Sequence, residues 1–481
     1  RPLVCPPPCP PAAARAAAAP RPPPPHQHTT MQLRHLKTIS AAGDAMNKVT
    51  AVAWSPNNRR LAVVTVDRVV SLYDENGTKR DKFATKPGAK DMKSYLVKAL
   101  AFSPDSSKLA VAQSDNIVFV YKLGLEWGDK KSICNKFPQS TSLTALCWPR
   151  NHPGKICFGL ASGKVKIGQI KTNKPATLYN SGSHVVAMCP SPDGYGLATG
   201  HVDGSIFTFF FEDAQSGGGP AHRKLCQHSS PPYALSWGES LVAAGLDSRI
   251  TFYSGQDGAT QRTFDYRDDV SVKGFTCAAF NPSGETVVVG NFDKFFSFNF
   301  NQKTLDWDEN PAKVIPNMYT VSALGWKPDG SRLSVGSLCG AVDLFDACVR
   351  RANYRGQFEF TYVSLSQVIV RRLVGPNAGH RIVLKSQFGC EINKINIFHD
   401  RCVRLGGFCV WCVVVVVVSY LLYCARILLV LASLVVAFGL GLKVCTVSER
   451  KYHVTYVLFP RPLPSLSLSH FLFFSLSSTL S

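Results

Sequence analysis

From residue 31 onward the hydrophobic positions come in short runs, each closed by a turn signal. Val97–Lys122 shows the unit most clearly. Apolar and polar residues alternate up to Phe102, and Ser103-Pro104-Asp105 then supplies a turn in which proline presets φ and aspartate caps its own backbone. Leu109–Ala112 predicts a second strand, Ser114-Asp115-Asn116 a tight turn, and Ile117–Tyr121 a third strand of β-branched and aromatic residues. A lone three-stranded sheet is marginal, so the unit needs neighbours.

The chain supplies them. Runs with the texture of VKALAF recur and end on Trp54, Phe102, Trp148, Pro190, Trp237, Phe280 and Trp326, at intervals of 48, 46, 42, 47, 43 and 46 residues. Five of the seven are followed by a proline turn, at Pro56, Pro104, Pro192, Pro282 and Pro328. The second turn carries Asp67, Asp115, Asp203, Asp247 or Asp293, and becomes Ser162-Gly163 in the third unit and Cys339-Gly340 in the seventh. The six aromatic anchors and the five aspartates are expected to be structural, one of each kind per unit at most. Weaker fourth strands are expected at Lys79–Phe83, Ile133–Phe137, Thr177–Tyr179 and Arg262–Tyr266.

A repeat of 40–45 residues with three clear strands and a variable fourth predicts an all-β, seven-bladed WD40-type β-propeller over 31–346. Each sheet buries its faces only against its neighbours, and closure of the ring leaves short edges. Leu33–Ile39 is expected to pair into the last blade and latch the ring. The repeats are degenerate: Gly200-His201 is the only clear Gly-His at the right place in a repeat, and no third strand ends in Trp-Asp.

Beyond Asp346 the period breaks. Gln357–Val363, Gln367–Arg372, Arg381–Ser386 and Glu391–Phe398 predict the opening of a second β-domain or propeller across 347–402, which stops near Cys402. Residues 1–30 are almost all Pro, Ala and Arg and cannot pack a core; they read as sequence upstream of a start at Met31. Residues 403–481 are a hydrophobic, low-complexity tail, with six consecutive valines at 413–418 and a Pro/Leu/Ser/Phe ending. Its preferred reading is translated intron. The rival is a transmembrane helix at 408–442, where Arg426 is the single charge and the length suffices to span a bilayer.

Charge refines the picture. Of the formal +21, three charges belong to 1–30 and a net six to 401–481, which leaves +12 for the middle. That middle has no run of five consecutive Lys/Arg, so a solvated mixed surface is expected ahead of a basic nucleic-acid-binding propeller. Nine cysteines scattered through 134–390 without close spacing point to a reducing compartment. No P-loop, HExxH, GxSxG or zinc-finger spacing is present, and neither an enzyme, a cofactor, a metal nor a small-molecule substrate is expected. Asn76-Gly77-Thr78 has the form of a glycosylation sequon but sits where a hairpin turn is needed. Cys409 and Cys412, Cys5 and Cys9, and the glycine run 217–219 are expected to carry no chemistry.

The wording of several units is more specific than a generic repeat. MQLRHLKTI, TVDRVVSLYDENGTKRDKFATKP, EWGDKKSICNKF, SLCGAVDLFDACVRR and FEFTYVSLSQVIVRRL resemble the WD-repeat region of peripheral complex B subunits of intraflagellar transport, from Met31 to about Arg401. The resemblance implies a non-enzymatic scaffold: two tandem propellers followed by helical repeats. The implied partners are other complex B subunits and ciliary cargo or membrane, and the implied location is cilium, ciliary base and cytoplasm. If 408–442 were a true span, the location would instead be a membrane.

Overall fold

A computed structural model describes residues 31–418, apart from 42–47, 90–93, 212–221, 317, 376–377, 387–391, 398–402, 406–407 and 411–413, together with strands at 443–449, 452–458 and 475–477. Every regular element among them is a β-strand. The chain divides into two compact units, 1–419 and 420–481. The second holds a three-stranded antiparallel sheet of Lys443–Glu449, Tyr452–Leu458 and Ser475–Ser477.

The first unit contains seven four-stranded antiparallel blades. Blade 1 is Val49–Trp54, Leu61–Thr65, Val69–Tyr73 and Lys79–Ala84; blades 2 to 6 repeat the order over 97–138, 143–180, 185–227, 234–265 and 277–314. Blade 7 takes three strands from Val321–Trp326, Arg332–Ser337 and Val342–Cys348. Its outer strand is Gln32–Ser40 from the chain's beginning, antiparallel to Val342–Cys348 with Gln32 opposite Cys348 and Ser40 opposite Val342. This is the expected latch. The innermost strands touch in cyclic order, and Val49–Trp54 meets both Val97–Phe102 and Val321–Trp326, so the ring is closed.

The core is distributed as the repeat requires. Each buried cluster joins two consecutive blades: Leu72 with Phe119, Phe137 with Phe158, Ile167 with Leu197, Ile206 with Leu241, Phe252 with Trp307, Phe295 with Leu333, and Leu344 with Leu61. Burying one such Leu or Phe contributes roughly 1.5–3 kcal/mol, so the stability of the ring lies in the seams between sheets. The innermost strands of blades 1, 2, 3, 4 and 7 share a register shift one residue after their start, between Val49/Ala51, Val97/Ala99, Leu143/Ala145, Val185/Ala187 and Val321/Ala323. An extra residue there bends the strand and raises its twist, as strands around a narrow axis need.

The outer strands run longer than their sequence signal. Thr177–Tyr179 extends to Lys174–Asn180, and blade 6 closes with Asp306–Val314, which the pattern did not mark. Past the ring, Arg350–Tyr354 precedes the anticipated strands, observed as Phe358–Tyr362, Gln367–Arg372 and Arg381–Lys385, and makes an eighth four-stranded sheet. Ile392–Ile397 follows and pairs with Val414–Val418. Part of the anticipated membrane segment is thus strand, Phe408–Val410 and Val414–Val418, and 419–442 lie outside the described residues. Among the described residues no helix is long and apolar enough to cross a membrane.

Candidate interaction surface

Antiparallel blades place their turns on two faces. The first-to-second and third-to-fourth turns lie on one, the lower face. The second-to-third turns and the connections to the next blade lie on the other, the upper face.

The aromatic anchors stand at the lower ends of the innermost strands. Trp54, Phe102, Trp148 and Trp326 are buried, Trp237 and Phe280 half-buried, and Pro190 exposed. Each Trp finds a partner for its N–H or its edge. Trp54 Nε1 donates to Ser334 Oγ of blade 7 at 3.2 Å, and Trp326 Nε1 to the Ala279 carbonyl of blade 6 at 3.0 Å. Trp237 meets Phe210 of blade 4 edge-on. Sequence reasoning missed Trp307, on the unmarked outer strand of blade 6. It stacks on Phe252 at 4.5 Å and donates to Ser240 Oγ at 3.0 Å.

The lower face under blades 6, 7 and 1 holds a buried polar cluster. Lys327, in the Lys327-Pro328-Asp329-Gly330 turn, is fully buried, with Nζ 2.7 Å from Asp329 and 3.2 Å from Glu75. Burial pushes both carboxyls up, but Lys327 outweighs it and holds each below its ordinary range. Arg381 of the eighth sheet joins Glu75 at 2.9 Å, and Gln367 Nε2 donates to the Asp329 carbonyl at 3.1 Å. Glu285 of blade 6 accepts from Ser366 Oγ at 2.7 Å, and burial raises its pKa. The eighth sheet is therefore tied to this face by charged and polar contacts.

The recurrent aspartates occupy the upper face. Asp67 Oδ1 accepts from the Val69 amide and Asp203 Oδ1 from the Ser205 amide, both at 3.0 Å, capping their own turns. Asp115 instead takes the Gly88 amide at 2.7 Å, and Asp247 takes the hydroxyls of Ser229 and Ser230. Asp293 Oδ1 is buried with no hydrogen-bond partner. Burial pushes Asp203 and Asp247 up, yet these serine contacts outweigh it and keep both carboxyls below the usual range. The turns, one per blade around the ring, do not converge into a carboxylate site.

Beside them stands an exposed apolar arc. Val202, Tyr233, Leu246, Val270, Phe292 and Tyr319 all lie on upper turns or connections of blades 4 to 7 and are exposed. Phe292 meets Tyr319 edge-on at 4.7 Å. On the upper turns of blades 1 to 3, Leu96 is the one large apolar side chain exposed among the described residues.

Other constellations are structural in geometry. His35 Nε2 and Thr38 Oγ1 both converge on Asp343 Oδ1, at 2.9 and 2.5 Å, and Thr38 Oγ1 also lies 3.4 Å from His35 Nε2. The three pin the latch beside a groove of about 710 Å³. His201, of the Gly-His in blade 4, is fully buried between Thr199 Oγ1 at 3.0 Å and the Ser183 carbonyl at 2.8 Å, and burial lowers its pKa. Asn76-Gly77 forms a hairpin turn with Gly77 at φ +74°, packed so closely on Ile39 of the latch that a Cβ would collide. Burial raises the Cys147 and Cys277 thiols to about 12. Among the described residues no three His, Cys, Asp or Glu side chains could hold a metal ion.

Comparison with known proteins agrees with this architecture. The WD domain, G-beta repeat family matches residues 34–74 and 88–122. Intraflagellar transport protein 172 homolog of Danio rerio is 52% identical over 370 residues, covering 76% of this chain and 21% of that protein. Intraflagellar transport protein 172 of Chlamydomonas reinhardtii is 52% identical over 379 residues, covering 77% and 21%; the Homo sapiens homolog is 50% identical over 372 residues, covering 76% and 21%. The chain thus spans about a fifth of the length of the curated relatives it matches. A closed ring of four-stranded blades and the matched repeats make this chain a WD-repeat β-propeller, and over three quarters of its length it is similar, at 50–52% identity, to a segment of the intraflagellar transport 172 proteins.

Proposed function

We propose that the chain is a non-enzymatic scaffold of the intraflagellar transport machinery, acting through protein–protein contacts made by its propeller. The observation that carries this reading is the identity of 50–52% to intraflagellar transport proteins across three quarters of the chain. The described surface supports it: the polar groups of the ring are spent on capping turns and joining blades, and the buried cysteines are held as thiols. The partners in this reading are complex B subunits and ciliary cargo, and the place of action is the cilium, with its base and the cytoplasm as the assembly route.

The working partition is a propeller over 31–346, the opening of a second β-domain over 347–402, and flanking segments 1–30 and 403–481. Its support is the latch onto blade 7 and the separate apolar core of the eighth sheet, built on Phe358, Phe360, Val368 and Val370. The anchors Trp54, Phe102, Trp148, Trp237, Phe280 and Trp326, with Asp67, Asp115, Asp203, Asp247 and Asp293, serve the ring in this scheme and not catalysis.

The test is affinity capture of the tagged chain from ciliating cells, with complex B subunits identified by mass spectrometry. Recovery of those subunits above a tagged unrelated propeller is the expected result. Recovery no better than that control would sink the scaffold reading.

A further inference from the structure

The upper arc of blades 4 to 7 joins two features that seldom coincide on a solvated surface. Apolar side chains are exposed, and each of four sits next to an aspartate in the chain: Val202-Asp203, Leu246-Asp247, Asp269-Val270 and Phe292-Asp293. Three of the four pairs are second-to-third turns of successive blades, so the alternation runs along the arc. Exposed apolar residues scattered singly need no explanation, but a contiguous set does.

Contiguity rests on contacts between the loops. The Asn291 amide group bridges the connection before it, Nδ2 donating to the Lys273 carbonyl at 2.6 Å and Oδ1 accepting from the Lys273 amide at 3.3 Å. The Phe275 amide donates to the Gly245 carbonyl at 2.8 Å, and the Leu338 amide to the Tyr319 carbonyl at 3.1 Å. Loops braced in this way need little ordering on binding, which preserves affinity.

Charge selects the occupant. The turns, connections and flanking residues of the arc carry Asp203, Asp247, Asp265, Asp268, Asp269 and Asp293 against Arg249, Arg267, Lys273 and Lys294, a net of −2. Both arginines are already paired with Asp265. Residues 31–400 as a whole carry +12, so the arc is an acidic, apolar island on a basic body. Such a surface repels phosphates and anionic headgroups and attracts cationic chains. The eighth sheet is held at the opposite, lower turns, by Gln367 on Asp329 and Arg381 on Glu75.

We propose that the upper arc of blades 4 to 7 docks a basic, apolar peptide segment of a partner protein, with Leu, Ile or Phe side chains over Leu246, Phe292 and Tyr319 and Lys or Arg side chains over the interleaved aspartates. This rests on the scaffold reading for its biological setting, but its chemistry is tested alone.

Three fluorescent 14-residue peptides serve as probes against the full chain: alternating Leu/Lys, alternating Leu/Glu, and alternating Ser/Lys. The Leu/Lys peptide binds, and the other two bind at least tenfold more weakly. Asp247→Lys/Asp293→Lys weakens the Leu/Lys peptide at least tenfold, as does Leu246→Ser/Phe292→Ser. Asp67→Lys/Asp115→Lys on blades 1 and 2 changes it less than twofold. Unchanged melting temperatures show that the ring survives each change. Equal binding by all variants, by the Leu/Glu peptide, or preferential binding to phosphatidylserine vesicles overturns the proposal.

The arc variants are then compared with the unaltered chain in capture of complex B subunits. If the unaltered chain recovers them and the arc variants do so equally well, the arc proposal falls and the scaffold reading stands. If the unaltered chain recovers none, the scaffold reading falls, and the peptide results still judge the arc.

Discussion

The two faces of the ring use the same residue types to opposite ends. Below, Lys327 and Asp329 form a buried pair, and the half-buried Glu75 pairs with Lys327 and with Arg381, which reaches in from the eighth sheet. Above, Asp67 and Asp203 are exposed on their turns, Asp115, Asp247 and Asp293 are half-buried, and apolar side chains such as Leu246 and Phe292 are exposed beside them. A buried ion pair is costly to break because the survivor is left uncompensated, whereas an exposed carboxylate is hydrated and loses little. The lower face is therefore built to hold a fixed arrangement, and the upper face to be met by something else.

The largest effect is expected at the latch, which ties both ends of the ring together. Deleting 31–40 removes the outer strand of blade 7 together with Met31 and Leu33 from the seam between blades 6 and 7. The thermal transition should fall steeply and broaden in calorimetry. An unchanged transition would show that the first strand does not hold the ring closed.

Next come Lys327→Ala and Trp326→Ala, each expected to cost about 3–5 kcal/mol in denaturant unfolding, the first by orphaning the buried Asp329 carboxylate and the second by opening a cavity. A loss below about 1 kcal/mol for Lys327→Ala would mean that the lower face is wetter than its geometry, and the contrast between faces would collapse.

The pH dependence separates two carboxylates of the lower face, the exposed Asp105 and the half-buried Glu285. Asp105, in the turn of blade 2, has burial pushing it up, but the Ser103 and Ser107 hydroxyls outweigh this and hold it near about 2, against 3.8 for the unperturbed group. Its contribution is complete above about pH 4 and disappears as pH falls through about 2. Glu285 has the opposite sign. Burial raises its pKa, so the folded state retains a proton longer and stability declines as pH rises past the ordinary glutamate value. Glu285→Gln should flatten that decline above the ordinary glutamate pKa while Asp105→Asn flattens the one at lower pH. Identical profiles for both variants would contradict the assignment.

The smallest effect on stability is expected on the upper arc. Leu246→Ser should change unfolding by less than about 0.5 kcal/mol, as exposed positions do. A cost above about 1 kcal/mol would place Leu246 in the fold rather than on a docking surface.

The repeating pattern of apolar runs and proline turns was enough to specify strands, period, seven blades and the pairing of Leu33–Ile39 into the last of them. The reason is local: alternation and turn chemistry act over a few residues, and a period of 40–45 leaves one way to bury both faces of each sheet. The outer strand Asp306–Val314 was illegible because its mixed sequence DWDENPAKV has no clean alternation, and only pairing with Lys294–Asn301 and the stacking of Trp307 on Phe252 made it a strand. The same holds for Arg350–Tyr354, whose polar residues pair only because Phe358–Tyr362 lies beside them. Lys327 reads in sequence as one more turn residue; its burial follows from blade 1 bringing Glu75 across the closed ring, a neighbour 252 positions away. The apolar–acidic arc was equally hidden. Val202, Leu246 and Phe292 are isolated side chains in the sequence, and only the closure of the ring sets successive turns side by side on one face.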